Sequence, residues 1–93
     1  MEIARLYLIS GRVQGVGFRF FAEKEGNQLG VRGYVRNLST GSVEVYAIGE
    51  AKVLETFKRR LARGPLGARV DRIEENHDEV ERRYSRFVIE VTG

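Results

Sequence analysis

Residues 11–19 read Gly-Arg-Val-Gln-Gly-Val-Gly-Phe-Arg and join an apolar, strand-like segment to an amphipathic, helix-like one. Three glycines within seven positions allow the backbone to turn tightly and to direct several N–H groups toward one point. No Ser, Thr, Asp or Asn stands just ahead of Phe18 to cap the helix. Arg19 adds a cation to the first turn, where the helix dipole is already positive. Uncapped amides beside this cation predict an anion site, and phosphate is the natural ligand.

The same segment matches neither of the two common nucleotide-binding signatures. It lacks the Gly-Lys-Ser or Gly-Lys-Thr ending of a Walker A loop, and Phe20 stands where a dinucleotide-binding fingerprint has its third glycine. Glycines also occur incidentally in tight strand-to-helix turns, so they do not by themselves indicate a ligand. The absent cap and the position of Arg19 favour an anion site over a plain turn.

Length and composition indicate one globular domain spanning residues 1–93. The chain is 42% hydrophobic and 31% charged, and no apolar run approaches the roughly 18 residues of a transmembrane helix. The amino terminus leads directly into a strand, so we expect no signal peptide, no membrane association and a cytoplasmic location. The absence of Cys excludes thiol nucleophiles and Cys-based metal sites. Thirteen of the sixteen basic residues are Arg, which suits bidentate contact with phosphate.

Hydrophobic periodicity predicts the order β-α-β-β-α-β, with a possible further terminal strand. The predicted strands are residues 3–10, 31–38, 42–48, 68–74 and 86–91, and the predicted helices are residues 18–29 and 50–62. This order is that of the ferredoxin-like α+β sandwich, an antiparallel sheet with two helices on one face. We expect the other face of the sheet to be partly open to water and residues 75–84 to form a charged loop. Gly26-Asn27 is a weak point of the first helix, because Gly costs about 1 kcal/mol relative to Ala.

Two segments carry a resemblance to a known family. Residues 11–19 resemble the signature of the acylphosphatase family, and residues 33–38 followed by residues 41–45 resemble its second signature. The resemblance covers essentially the whole chain and implies the same ferredoxin-like fold. It also implies hydrolysis of acyl phosphates to a carboxylate and inorganic phosphate, with no metal, no other cofactor and no covalent intermediate. We therefore expect a free-standing enzyme that acts on a small-molecule acyl phosphate and binds inorganic phosphate as product and inhibitor.

The resemblance also implies the roles of particular residues. By position, Arg19 matches the catalytic arginine of the family and Asn37 matches its catalytic asparagine. The groups that match the phosphate-binding loop are the backbone amides of Gln14, Gly15, Val16, Gly17 and Phe18, together with Arg19. Three residues depart from the family pattern, because Phe20, Tyr34 and Thr40 stand where Tyr, Trp and Asp are more frequent. None of the three replaces a residue that touches the chemistry, so they bear on specificity and rate and not on the reaction class.

The implied chemistry suits these residue types. The leaving group of an acyl phosphate is a carboxylate whose conjugate acid has a pKa of about 4, so its departure needs no protonation at neutral pH. Phosphoryl transfer depends on positioning and charge stabilisation, which backbone amides and Arg19 can supply. The nucleophile is expected to be water, held in line by the carboxamide of Asn37. Because Asn is a poor base, we expect the proton to pass to a phosphate oxygen of the substrate.

A second candidate function is binding of single-stranded RNA. Arg32, Tyr34 and Arg36 share one face of the second strand, and an aromatic ring between two cations could stack a nucleobase, as in RNA-recognition domains of this fold. The aromatic motif of those domains belongs on the third strand, however. We therefore interpret this face as solvated and expect no nucleic-acid partner.

A metal site and a non-catalytic role have less support in the sequence. His77 stands among acidic residues of the predicted loop, but a single His among loop carboxylates is usually solvent-exposed polarity, so we assign no metal site. A non-catalytic phosphate sensor, or a module of a larger carbamoyl-transferring protein, would also need a phosphate-binding loop. We expect a monomer, although exposed edge strands would also permit a strand-paired dimer.

Overall fold

Five strands and two helices make up the structure, a computed structural model that describes residues 1–93. In chain order the elements are β1 (Glu2–Arg12), α1 (Phe18–Gln28), β2 (Arg32–Asn37), β3 (Val43–Glu50), α2 (Ala51–Arg63), β4 (Arg69–Asp78) and β5 (Phe87–Ile89). Every predicted element is present, including the additional terminal strand. With 11 and 13 residues, α1 and α2 are too short to cross a bilayer.

The strands form one sheet in the order β4-β1-β3-β2-β5. The first four strands pair antiparallel with their neighbours, whereas β5 pairs parallel with β2. The predicted ferredoxin-like α+β fold is confirmed, with a mixed sheet in place of a purely antiparallel one. The reason is the path of the chain after β4. It crosses the sheet from one edge to the other and then reverses direction, so β5 runs the same way as β2.

The main core lies between the helices and one face of the sheet. Strand β1 contributes Tyr7 and Ile9 to this core and directs Leu6 to the opposite face, as its alternating pattern predicts. Both helices contribute buried side chains to the same cluster, which comprises Phe18, Ala22, Leu54, Phe57 and Leu61 on the helical side. Both helices therefore cover the same face of the sheet.

Gly26 and Asn27 join α1 to β5. A Cβ added to Gly26 would lie 2.8 Å from Cγ of Phe87, a fully buried ring. Asn27 binds the same residue through its side chain, because Nδ2 donates to the Phe87 carbonyl (3.0 Å) and the Phe87 N–H donates to Oδ1 (2.9 Å). Gly26 and Asn27 have low helix propensity, but Gly26 allows α1 to approach β5 closely and Asn27 fixes the position of Phe87 along α1.

The opposite face of the sheet is less open than the sequence predicts. Residues 79–86, here called the back-face strap, cross this face and place Tyr84, only 7% exposed, against Tyr46 and Ile48. The predicted loop over residues 75–84 is also shorter than expected, because β4 continues to Asp78 along β1. His77 consequently lies in a strand opposite Arg5, with an exposed side chain.

All four tyrosines have raised pKa values in this fold. Burial is the main cause for each, and neighbouring carboxylates add to it. Burial raises the pKa of Tyr7 to about 12, and burial with the hydrogen bond to Glu90 raises the pKa of Tyr84 to about 12. The protonated phenols are therefore the forms that the folded structure favours.

We expect Gly26→Ala to lower stability, although Ala is the better helix former by about 1 kcal/mol. The added methyl group overlaps the buried Phe87 ring, and overpacking a core costs roughly 1–3 kcal/mol. Urea unfolding measures the change. A double-mutant cycle with Phe87→Leu is expected to show favourable coupling, because the smaller side chain makes room for the methyl group. A stabilised Gly26→Ala protein would contradict this account of the α1–β5 contact.

We expect the tyrosines to make stability decrease at alkaline pH. Their pKa values are raised from 10.0 in the fold, so the stability that they contribute is complete below pH 10 and is lost as the pH rises through about 12. Tyrosinate absorbance of the folded protein should stay low at pH 10 and increase there on unfolding. Tyr84→Phe is the control, since it removes one of these transitions. Full ionisation of the folded protein near pH 10 would refute the prediction.

Candidate active site

The connection between β1 and α1, residues 13–17, is here called the glycine loop. Gly15 and Gly17 have φ values of 75° and 77°, in the left-handed region that only glycine adopts easily. A Cβ at either position would meet no atom within 4 Å, so the backbone conformation and not lack of space requires glycine. Val13 is buried and Val16 packs against the main core. The two valines hold the loop against the core while the two glycines turn it.

The amides of the glycine loop have no acceptor within the protein. Gly17 is the N-cap of α1, and no side chain caps the helix. The first helical hydrogen bond runs from the N–H of Phe21 to the carbonyl of Gly17 (3.0 Å), and the N–H groups of residues 13–17 donate to no protein carbonyl. The first turn of α1 contains no acidic residue. Unpartnered N–H groups and the positive end of a helix dipole therefore meet here, as the sequence predicts.

Arg19 adds an unpaired positive charge to this region. Its side chain is half-buried and takes part in none of the nine ion pairs of the protein. A guanidinium group next to a helix N-terminus is destabilised by the dipole unless an anion offsets both charges. The fork of N–H groups on Arg19 is suited to hold two oxygens of such an anion.

One cleft of about 220 Å³ brings the predicted site residues together. Its walls are formed by the glycine loop except Val16, together with Phe18, Arg19, Phe20 and Asn37. Of the residues predicted to bind phosphate, only Val16 does not line the cleft, because its side chain packs against the core. Asn37 reaches this cleft from β2, 18 positions beyond Arg19 in the sequence.

The carboxamide of Asn37 has an unsatisfied acceptor. Its Oδ1 is buried and has no hydrogen-bond partner, the one such side-chain atom in the structure. A buried acceptor without a donor costs about 1–3 kcal/mol, so an exception of this kind in a cleft points to a ligand group or a water as the donor. The sequence indicated Asn37 by resemblance alone, and its orphaned oxygen is visible only in three dimensions.

Two backbone contacts hold Asn37 in place. On one side β2 pairs with β3, where Asn37 is opposite Val43. On the other side the N–H of Gly93 donates to the carbonyl of Asn37 (2.9 Å), and the N–H of Ser39 donates to the carbonyl of Gly93 (3.0 Å). The side chain is therefore free of protein hydrogen bonds while its backbone is fixed from both sides.

Gln14 connects the glycine loop to the turn that follows Asn37. Its Nε2 donates to the carbonyls of Leu38 and Ser42, at 2.9 Å in both cases. Sequence reasoning assigned only the backbone amide of Gln14 to the site and missed this role of the side chain. The only available signal was one polar residue between Val13 and Val16, which does not identify its partners.

A larger cleft, about 330 Å³, lies between β1, α2 and β4 but suits an anion less well. Its two cations, Arg5 and Lys58, both pair with Glu75, at 3.1 Å and 2.7 Å, and Glu55 in the walls brings the second carboxylate that balances their charge. These contacts also hold the pKa of Glu75 below its usual range, with the Lys58 hydrogen bond as the largest cause. The smaller cleft is therefore the better candidate site despite its size.

The face proposed for RNA is occupied by contacts within the protein. The hydroxyl of Tyr34 and the guanidinium of Arg36 both donate to Glu44 at 2.8 Å. The Tyr34 ring stacks on Tyr46, with ring centroids 5.6 Å apart, and lies 5.8 Å from the ring of Tyr84. Arg32 pairs with Glu2. Nothing in this arrangement favours the RNA-binding alternative.

Comparison with known proteins identifies the family. The family model described as Acylphosphatase matches residues 5–89. The chain belongs to the acylphosphatase family. A family member from Koribacter versatilis (strain Ellin345) is 46% identical over 88 residues, which cover 95% of this chain and 80% of the relative.

Solved structures agree with this family assignment. An acylphosphatase from Coxiella burnetii is 36% identical with a TM-score of 0.90, over 96% of this chain and 93% of that one. Full-length HypF in its phosphate- and nucleotide-bound form matches with 33% identity and a TM-score of 0.89, over 99% of this chain but only 12% of that protein. The family and the fold predicted from the sequence motifs are confirmed, and the protein is an enzyme of the acylphosphatase class. The roles of individual residues stay predictions.

We expect Gln14→Glu to destabilise the protein, because Glu keeps the size of the side chain but cannot donate to the two carbonyls. The loss of two hydrogen bonds is expected to cost about 1–3 kcal/mol. Urea unfolding of both proteins tests this. Thr40→Ala is the control in the same turn, since its hydroxyl makes only a 3.4 Å contact with the Ser42 amide. Equal stability of Gln14→Glu and wild type would show that the two hydrogen bonds of Gln14 do not stabilise the fold.

Proposed function

We propose that this acylphosphatase-family enzyme hydrolyses acyl phosphates in the cleft formed by the glycine loop, Arg19 and Asn37. In this proposal a single domain, residues 1–93, carries the whole site. The observation that supports it most directly is the presence of three unsatisfied groups in one cleft. These are the loop amides, the unpaired guanidinium of Arg19 and the orphaned Oδ1 of Asn37.

The phosphoryl group is held by the backbone amides of residues 14–18 and by Arg19. A phosphate monoester or anhydride carries up to two negative charges, and the site offers one full positive charge, N–H dipoles and a helix N-terminus. In the loose transition state the charge spreads over three equatorial oxygens. Fixed donors that already point at those oxygens stabilise it without reorganisation.

The attacking group in this proposal is water held by Asn37. The unpartnered Oδ1 accepts a hydrogen bond from the water and so holds it in position for attack on the phosphorus. Attack forms the new P–O bond as the bond to the bridging oxygen breaks, and the electron pair leaves with the carboxylate. The water proton moves to a phosphate oxygen, so the products are a carboxylate and inorganic phosphate.

No general acid is required for this route. Arg19 is the only ionisable side chain that lines the cleft, and a guanidinium does not give up its proton in proteins. Since the leaving carboxylate is stable at neutral pH, its departure needs no proton. This absence of a titrating acid fits an anhydride substrate better than a phosphate ester, whose alkoxide leaving group does need one.

Three further properties belong to the proposal. Inorganic phosphate presents the same oxygens as the substrate, so we expect it to inhibit by competing for the glycine loop. The whole site comes from one chain, which supports a monomeric enzyme. We also expect a cytoplasmic location, with which the absence of Cys is compatible.

Arg19→Lys and Asn37→Ala test the proposal, with benzoyl phosphate hydrolysis measured at neutral pH. We expect each to lower kcat by roughly a hundredfold or more, the typical effect of removing one transition-state donor. Only Arg19→Lys is expected to weaken inhibition by inorganic phosphate as well, because Asn37 acts on the water.

Matched controls are Arg82→Lys and Asn76→Ala, which make the same kinds of change at exposed positions outside the cleft. Both should keep wild-type kcat. Circular dichroism confirms that each variant is folded. Wild-type turnover in Arg19→Lys or in Asn37→Ala would remove that residue from the mechanism, and absence of turnover in the wild-type protein would refute the proposed function.

A further inference from the structure

We propose that Phe20 contacts the acyl group of the substrate and makes the enzyme prefer acyl phosphates with large apolar, particularly aromatic, acyl groups over those with small ones. This inference rests on the proposed function, because it concerns the part of the same substrate that the phosphate-binding groups do not touch.

Phe20 is an exposed aromatic side chain that does not belong to the hydrophobic core. It is 67% exposed, whereas α1 buries Phe18, Ala22 and Gly26 on its core face. Only three other large hydrophobic residues are as exposed, and none of them, Met1, Leu66 or Val91, lines the cleft. An exposed aromatic ring at the edge of a cleft gains most when a ligand removes it from water.

The position of Phe20 matches the expected position of the acyl group. Arg19 and Phe20 are consecutive residues of the first turn of α1, and both line the cleft. A single bridging oxygen joins the phosphoryl group to the acyl carbon. A phosphoryl group bound to Arg19 and the glycine loop therefore holds the acyl group within a few bond lengths of the neighbouring side chain.

Phe20 is also the only apolar side-chain surface that the cleft offers. The two other hydrophobic residues in its walls are Val13 and Phe18, which are 1% and 2% exposed and face the core. The only charged side chain there, Arg19, is committed to the phosphoryl group in the proposed mechanism. The walls therefore offer no ion-pair partner to a charged acyl group, whereas an aromatic acyl group can pack against the ring of Phe20.

The test compares kcat/KM for benzoyl phosphate and acetyl phosphate in wild type, Phe20→Ala and Phe20→Tyr. We expect Phe20→Ala to lower the benzoyl-to-acetyl ratio by roughly tenfold, the scale of discrimination by one apolar contact. Phe20→Tyr keeps the ring and should keep the ratio. The inhibition constant of inorganic phosphate should not change in either variant, because phosphate has no acyl group.

Leu66→Ala is the matched control, an apolar residue outside the cleft that is even more exposed than Phe20. It should leave both kcat/KM values unchanged. A wild-type ratio in Phe20→Ala would overturn this inference while leaving the proposed function intact. A changed phosphate inhibition constant would also overturn it, because Phe20 would then act on the phosphate site. If the wild-type enzyme hydrolysed neither compound, the proposed function itself would fail.

Discussion

The N–H groups just ahead of α1, which no protein acceptor satisfies, are the constraint on which the candidate site depends. A helix N-terminus leaves such donors by necessity, and most proteins satisfy them with a capping side chain. Here Gly17 occupies the cap position and cannot do so. The cost is tolerable because Val13 and Val16 pack the loop against the core and the side chain of Gln14 binds the β2–β3 turn, so the loop keeps its shape without using its backbone amides. A loop held in this way keeps its donors oriented without using them.

The second constraint is the sheet topology, which places Asn37 beside that loop. Strands β1 and β2 both pair antiparallel with β3, so they run in the same direction and their carboxyl ends lie at the same end of the sheet. The glycine loop follows one of these ends and Asn37 lies at the other. Strand β3 lies between β1 and β2 and separates the two halves of the site. The side chain of Gln14 connects them through its hydrogen bonds to the β2–β3 turn. The distance between the two halves of the site is therefore set by strand spacing and by one side chain.

Ion pairs neutralise part of this arginine-rich surface and leave the site charged. Seven of the thirteen arginines pair with carboxylates, among them Arg5, Arg36 and Arg60, and these pairs lie on the sheet faces and between the helices. Arg19 is one of the six arginines without such a partner, and it lies beside unpartnered amides that carry the same sign of partial charge. The positive potential that the composition spreads over the surface is thus locally neutralised in many places and left uncompensated at the cleft, where an anionic substrate can use it.

The local features of this protein follow from its sequence alone. Glycines at positions 15 and 17 permit the left-handed backbone, the missing cap before Phe18 leaves the donors free, and alternating apolar residues define the strands and their core face. The tertiary structure alone decided the contacts between distant residues. Two examples are the hydrogen bonds from Gln14 to Leu38 and Ser42 and the packing of Gly26 on Phe87. Two more are the packing of Tyr84 against the second face of the sheet and the Oδ1 atom of Asn37, which has no hydrogen-bond donor. The physical reason is that backbone preferences and periodicity act over a few residues, whereas these contacts depend on strand register and on the side chains that other segments bring to the same place.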